Sequence, residues 1–458
     1  MESIITEIAE NFIKKLVEIM ASSQKSFAEI EKAALEEAKS CATKLMGAYA
    51  ESLDLAIIAD KVGRREMGSV VHRRGDKRSL QTLVGEISYH RTYYKKASGG
   101  YEYLADRVLG IERRERVSSG LSLALATAAK DMSYAKSSCY VSGGEISRQT
   151  VMSRVRKSGT TSVVIEKHNV AELHIDADEA HISLQNSSKS IVPLISVYEG
   201  IERHGKRNSC KNVFHISEYG KSSDDLWEQT LTEIEQRYDL TNTKIYLHGD
   251  GAKWIQTGLE WIPDAVFVLD KYHKNKAIKQ MTTEFDRDTR KLIDENIREA
   301  LADEDVRFFD ELTQSICSQN PQRTEKILEA ARYLKNFIGG ISVCKTDPAA
   351  NNGGCTEPHV SHILASRLSS RPMAWSRTTL KKLAPVLASG QVVLNAKADM
   401  PPLPKPLRKA AASATRAARE TSKAFRRGTA GLPNPDSIGK LPVSGKITGT
   451  QKILKFFR

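Results

Sequence analysis

Along the first sixty residues the apolar positions Ile4, Ile5, Ile8, Phe12, Leu16 and Ile19 recur at steps of three and four, and Phe27 to Leu55 is rich in Ala, Glu and Leu. That period belongs to one face of a helix, and it predicts a helical bundle or dimerisation arm over residues 1–65. At Val70 the period changes. In RRGDKRSLQTLVGEISYHRTYYKK the residues alternate about Gly85, which predicts a small hairpin bearing many Arg, Lys, His and Tyr side chains. It reads equally as a ribbon for a phosphate backbone or as an ordinary solvated hairpin.

Residues 118–158 read as two helices broken at Gly143-Gly144. The second, EISRQTVMSRVRKSG, carries Arg148, Gln149, Thr150, Ser153, Arg154 and Arg156. A helix, a glycine turn and a short basic helix outline a helix-turn-helix whose second helix enters the major groove, although any basic surface helix offers the same residues. With the hairpin, this makes residues 66–160 the expected DNA-binding region.

Between Asn169 and His273 strands and helices alternate. ELHIDADEAHISL, SIVPLISVYEG and KNVFHISEY read as strands, SSDDLWEQTLTEIEQRY as a helix, then TKIYLHG as a strand, GAKWIQTGLEWI as a helix and AVFVL as a strand. Three strands followed by a βαβ alternation predict a mixed sheet covered by helices, so the fold class is α/β. Residues 276–342 read as an all-helical insertion. The segment CTEPHVSHILASRLSSRPMAWS, within residues 343–395, starts a further helix: Thr356 can cap it and Pro358 suits its first turn, which sets Glu357 at its entrance. From 396 to 458 the composition moves to Pro, Ala, Gly, Ser, Lys and Arg, which predicts a flexible basic tail.

A chain of 458 residues exceeds what one core organises. No run approaches the roughly eighteen apolar residues of a membrane span, and the opening MESIITEIAENFIKKLVEIM is amphipathic and partly acidic rather than a signal peptide, so a cytoplasmic, nucleoid-associated protein is expected. The six cysteines are scattered without a CxxC pair. Cys344, Cys355, His359 and His362 can be drawn as a zinc site, but the ten-residue gap between the cysteines is far from the usual spacing. The net charge of +13 suggests a polyanionic partner. Most of it is local: from Pro401 to Arg458 there are thirteen Lys and Arg against two acids, 13 − 2 = +11.

Carboxylates close the apolar runs. IYLHGDG leads into Asp250 and AVFVLD into Asp270, with His273 three residues later; in ELHIDADEAHISL, Asp176 and Asp178 fall on one side of a strand. In open α/β sheets the functional crevice lies beyond the carboxyl ends of the strands, and the glycines flanking Asp250 suit a close approach of backbone and ligand. Converging carboxylates repel one another, and divalent metals held by oxygen ligands resolve that cost. Two such ions promote phosphodiester transfer, a chemistry that wants about three carboxylates.

The succession DADEAHISLQ, HGDGAKWI, VLDKYHKNKAIK, a helical insertion and TEPHVSHILASRLSSRPMAWS resembles the bacterial insertion-sequence transposases of the mutator-like superfamily, and within it a group long catalogued as an uncharacterised protein family. The resemblance runs from roughly Arg73 to Arg377. It implies a ribonuclease H-like catalytic domain, residues 165–275 and 343–395, split by the helical insertion. It further implies a DDE triad binding Mg²⁺, with Mn²⁺ as substitute: Asp178, Asp250 and Glu357 as metal ligands, Asp176 remaining an alternative to Asp178. Asp270 and His273 match an acid-x-x-His motif that positions the substrate strand or orients the site. The implied activity is cleavage at the element's terminal inverted repeats and strand transfer to target DNA by at least a dimer, with Arg148, Gln149, Arg154, Arg156 and Arg371 as DNA contacts. Arg367, Arg377 and Trp375 lie near the Glu357 helix and offer further backbone grip or base stacking, Trp375 otherwise being core. A nuclease without strand transfer and a catalytically idle DNA-binding protein derived from a transposase are the rival expectations.

Overall fold

Helices and strands arise largely where the periodicity places them, and the capping residues set the boundaries. In the computed structural model, which describes residues 2–21, 25–161, 166–205, 207–394 and 403–428, helix α1 spans Glu2–Ala21, α2 Phe27–Ala59 and α3 Lys61–Glu66. Ser26 and Glu29 cap α2 reciprocally, the Ser26 N–H donating to Glu29 Oε2 at 2.7 Å. Strands β1 (Ser69–Thr82) and β2 (Gly85–Lys96) form the antiparallel hairpin, β3 (Tyr101–Glu102) adds to its edge, and α4 (Leu104–Leu109) follows. The protein is a mixed α/β chain, mainly helical with several small sheets.

Two compact units result: one holds the residues up to Ser122 together with the described part of the C-terminal stretch, the other begins at Leu123 and runs to the strand residues 393–394. In the first, α2 lies on the hairpin. Leu53, Ile57, Tyr94 and Leu104 bury together, and Asp54 accepts the Thr92 N–H at 3.0 Å and its hydroxyl at 2.7 Å.

The same core contains Leu407, Ala410 and Ala414. Part of the stretch expected to be a flexible tail is therefore a helix, Lys405–Gly428. Its composition is poor in large apolar residues, but Leu407, Ala410 and Ala414 fall at helical spacing on one face, and α2 and α4 supply what that face buries. Residues 396–402 and 429–458 of the expected tail lie outside the described residues. Leu407 is 1 % exposed, so Leu407→Ala is expected to cost about 3 kcal/mol in the unfolding of this unit. Urea unfolding of the full chain checks this, and an unchanged transition would mean that the helix does not dock.

The boundary between the units falls within α5 (Ser119–Asp131), and the second unit continues with α6 (Tyr134–Ser142) and α7 (Arg148–Lys157). The stretch expected as one helix before Gly143 is thus two, because Ser133 takes an extended conformation and accepts the Lys136 N–H. The hairpin and these helices, grouped as one DNA-binding region on sequence, belong to different units.

A five-stranded sheet follows, built from β4 (Glu172–Ser183), β5 (Lys189–Tyr198), β6 (Phe214–Ile216), β7 (Lys244–Gly249) and β8 (Val266–Leu269), in the order β6-β5-β4-β7-β8. The first three strands in sequence pair antiparallel, whereas β7 runs parallel to both β4 and β8. Strand alternation gives the sheet two unlike faces. Leu173, Ile175, Ala177, Ile195, Val197, Ile245 and Leu247 form an apolar layer under α8 (Ser223–Arg237), centred on the buried Trp227. The opposite face carries His174, Asp176, Asp178, Tyr198, Tyr246 and His248, with the His174 ring stacked on Tyr246 at 5.1 Å and Tyr198 at 5.6 Å.

Five helices come next: α9 (Lys271–Thr282), α10 (Arg287–Ala302), α11 (Val306–Gln319), α12 (Thr324–Asn336) and α13 (Ile338–Thr346). They share a core of their own that includes Ile278, Leu301, Phe309 and Leu334. The chain then returns through α14 (Thr356–His359), which continues into a π-helical turn, and ends the unit with α15 (Arg377–Ser389). No helix among the described residues is long and apolar enough to cross a membrane.

Candidate active site

The register of the sheet brings the acids together. His248 on β7 pairs with Asp176 on β4, and Gly249 with Leu269 on β8. Continued past the strand ends, this register sets Asp250 level with Asp178 on one side and with Asp270 on the other, with neighbouring strands about 4.8 Å apart. The Asp270 N–H indeed donates to Gly249 O at 2.9 Å.

Burial pushes the Asp178 carboxyl up to about 6, and the like charges of Asp250 and Glu357 push in the same direction. The Thr356 hydroxyl, bonded to Asp270 at 3.1 Å, brings the adjoining Glu357 to this end of the sheet, more than a hundred residues from Asp250 in sequence. Asp250 Oδ1 accepts the Ala252 N–H at 2.8 Å, and its carbonyl accepts the Tyr333 hydroxyl at 2.7 Å, which ties it to α12.

Asp270 is committed to the protein on both oxygens. One accepts the Tyr272 N–H at 2.9 Å and the His273 N–H at 3.2 Å, capping α9; the other accepts the Thr356 hydroxyl at 3.1 Å. Burial raises its carboxyl, but the bonds from His273 and Thr356 bring it net below the usual range. His273 Nδ1 lies 3.2 Å from the same carboxylate, and this hydrogen bond raises the imidazole, with Asp250 and Asp178 adding to the effect. Asp270 thus holds the His273 imidazole within electrostatic reach of Asp178 and Asp250.

Asp176 and Asp178 differ in their partners. Asp176 is 1 % exposed and accepts the Tyr198 hydroxyl at 2.9 Å, the Cys355 N–H at 2.7 Å and the Gly354 N–H at 3.3 Å. Its oxygens are used up in fastening the turn that leads to Glu357, whereas Asp178 is half-buried among the other acids. Lys271 fastens the same turn from the start of α9, donating to Asn351 O at 2.8 Å and Gly353 O at 3.1 Å. Sequence reasoning missed Lys271, Tyr198 and Tyr333 in these roles. Only the position of Lys271 beside Asp270 signalled it.

Thr356 does not cap its helix, since its hydroxyl reaches Asp270 and the capping position is Cys355. The glycines beside Asp250 make room for protein rather than ligand: a Cβ on Gly249 would stand 2.8 Å from Ile255, and one on Gly251 would stand 2.1 Å from the Phe337 ring. Arg156 ties α7 to α15, donating to Thr379 Oγ1 and Ser376 Oγ at 3.0 Å each, so it is not presented to DNA. Arg148, Gln149 and Arg371 are exposed, and Arg154 is half-buried. Arg367 and Trp375 are core: the guanidinium lies 4.8 Å above the indole ring and donates to Ala129 O. Arg377 donates to the Tyr219 hydroxyl at 3.1 Å.

Among the described residues no three His, Cys, Asp or Glu side chains close to metal-ligand geometry. Cys344 packs with Tyr246, Val268 and Ala350, while His359 Nε2 lies 3.7 Å from Cys210 Sγ, so the zinc arrangement drawn on the sequence is not assembled. Asp250 and Glu357 each lie within electrostatic reach of Asp178. Their chemistry fits a hard divalent ion: all are oxygen donors, and Asp250 and Glu357 raise the cost of ionising Asp178.

The chain is thus an α/β protein whose mixed sheet delivers carboxylates from neighbouring strand ends to one space, joined by a glutamate from a distant helix. Over residues 20–395 it matches the uncharacterised protein family UPF0236, and it belongs to that family. A UPF0236 protein of Caldanaerobacter subterraneus subsp. tengcongensis is 36 % identical over 395 residues, covering 84 % of this chain and 82 % of the relative. Another from that organism is 36 % identical over 392 residues, 84 % of this chain and 78 % of the relative. A UPF0236 protein in the vanSb 3′ region of Streptococcus gallolyticus is 23 % identical over 394 residues, 82 % of this chain and 83 % of the relative.

Proposed function

We propose that this protein is a DDE-type DNA transposase that binds the terminal inverted repeats of its own insertion sequence, cleaves there and joins the freed 3′-hydroxyl to target DNA. The observation that carries the reading is geometric: the sheet register sets Asp250 level with Asp178 and Asp270, and the Thr356 hydroxyl bonded to Asp270 brings the adjoining Glu357 to the same strand ends. A sheet of three antiparallel strands followed by two parallel ones, interrupted before its glutamate helix by a helical block, supports a ribonuclease H-like catalytic domain of the mutator-like superfamily.

Asp178, Asp250 and Glu357 would hold Mg²⁺, or Mn²⁺ in its place. Bound divalent ions activate a water or a 3′-hydroxyl and stabilise the leaving oxygen. The protein's own residues prepare that site. Asp176, Asp270 and Lys271 fix the turn before Glu357, and His273, its imidazole held by Asp270, sets a positive charge beside Asp178 and Asp250 when protonated. The exposed Arg148 and Gln149 at the start of α7 are offered to DNA. Two ends must be held together, so a homodimer or larger assembly is part of the proposal.

The test is a labelled duplex carrying the element's end, incubated with the protein and Mg²⁺ and then with excess chelator. Cleavage and joining are expected with metal and neither without it. Cutting without joining would make the protein a nuclease, and binding without reaction under any metal condition would make it a DNA-binding protein alone. The pH dependence has a definite sign. A carboxyl raised to about 6 keeps its proton below that pH, so the proton competes with the cation there. At limiting Mg²⁺, cleavage should climb as pH rises through about 6, and more Mg²⁺ should move the climb to lower pH. A profile flat across that range would count against Asp178 as a ligand.

A further inference from the structure

The hairpin of the first unit carries aromatic residues that its core does not use. Tyr93 of β2 stacks on Tyr101 of β3 with centroids 5.1 Å apart and planes within 16°, and its ring centroid lies 4.6 Å from that of Tyr103 with the planes tilted by 34°. His72, where β1 is bulged between Val71 and Arg73, lies 4.9 Å from Tyr101 and 6.0 Å from Tyr93. The inner end of this group is locked. The Arg91 guanidinium lies 3.5 Å from the Tyr103 ring centroid and pairs with Asp106, and the Tyr103 hydroxyl donates to Asp76 at 2.7 Å.

The outer end is open to solvent: His72 is exposed and Tyr101 is 40 % exposed. Cations border it. Arg73, held by Asp76 through two hydrogen bonds of 2.6 and 2.7 Å, lies 5.6 Å from the Tyr93 ring centroid. Lys95, two residues beyond Tyr93 and so on the same face, is exposed and makes no ion pair among the described residues.

A rigid set of rings, with a flat tyrosine at its exposed end and positive charge at its edges, matches a base and its phosphates. An acidic peptide would satisfy the charge and leave the flat ring without a partner. We propose that His72, Tyr93 and Tyr101 form a stacking platform for an unpaired nucleotide, with Lys95 contacting the adjoining phosphate. The choice of DNA as the polymer rests on the transposase reading; the stacking itself does not. A transposase holding a frayed or nicked element end would meet such unpaired nucleotides.

The test uses the full chain in chelator, so that no cleavage enters, with a labelled single strand and a blunt duplex of the same sequence followed by fluorescence anisotropy. Tyr101→Ala is expected to weaken single-strand binding about tenfold, whereas Tyr101→Phe, which keeps the ring, stays within about twofold of wild type. The salt dependence should be the same in wild type and Tyr101→Ala, and lower by about one counter-ion in Lys95→Ala. A 2-aminopurine in the strand should be quenched by wild type and Tyr101→Phe but not by Tyr101→Ala. The platform is overturned if wild type fails to bind the single strand, if Tyr101→Ala binds like wild type, if Tyr101→Phe loses as much as Tyr101→Ala, or if strand and duplex weaken alike. Binding is read in chelator and cleavage in Mg²⁺, so a failed cleavage assay and a failed platform are told apart.

Discussion

Asp250→Asn and Glu357→Gln are each expected to lower metal-dependent cleavage by about a thousandfold or more while leaving DNA binding in place. Both substitutions keep shape and remove the charge that attracts a cation. They should behave as a unit, the double variant being little worse than either single one, because a metal site missing one ligand charge is already lost. Asp176 provides the contrast. Its carboxylate is saturated by Tyr198, Gly354 and Cys355, so Asp176→Asn places an amide against donors and should lower unfolding stability together with activity. Cleavage rates, chelator-insensitive DNA affinity and melting temperature, measured on the same three variants, check this. If Asp250→Asn cuts at the wild-type rate, the acid cluster is not the active site.

Gly251→Ala should destabilise the second unit by about 4 kcal/mol, a sum of two independent costs. The residue sits at φ +86°, where an L side chain costs roughly 1–2 kcal/mol. The added Cβ would stand 2.1 Å from the Phe337 ring, which is itself packed on Phe267 and Tyr333, and overpacking of this kind costs roughly 1–3 kcal/mol. The effect reaches the site because Tyr333 holds the Asp250 carbonyl. The double variant Gly251→Ala/Phe337→Leu removes much of the clash and none of the backbone cost, so it should recover about half the loss. Thermal unfolding decides the matter, and a Gly251→Ala protein as stable as wild type would contradict the packing described here.

The two kinds of information in the molecule separate cleanly at particular residues. Asp250 and Asp270 could be read from the sequence because each follows directly on a short apolar run, and a strand end is a local event. The hairpin about Gly85 and the helical block after His273 were legible for the same reason, since periodicity over ten or twenty residues reports which face is buried. Glu357 was not legible from spacing. Nothing local distinguishes it, and only the family resemblance singled it out.

Partnership across the fold was decided by tertiary structure alone. Asp176 and Asp178 share a face of one strand and look interchangeable in sequence, yet Tyr198 and the turn before Glu357 claim the first and leave the second among the acids. Arg156 looked like a DNA contact until Ser376 and Thr379 took its donors, and the basic stretch after Pro404 looked structureless until α2 gave Leu407 a place to bury. By itself the sequence determined the elements, the two faces of the sheet and the acids at its strand ends, because period and capping act within a few residues. The tertiary structure determined which polar groups are spent on holding the fold and which are left for chemistry, because a hydrogen bond or an ion pair is settled by whatever the chain brings within about 3 Å, however far away in sequence.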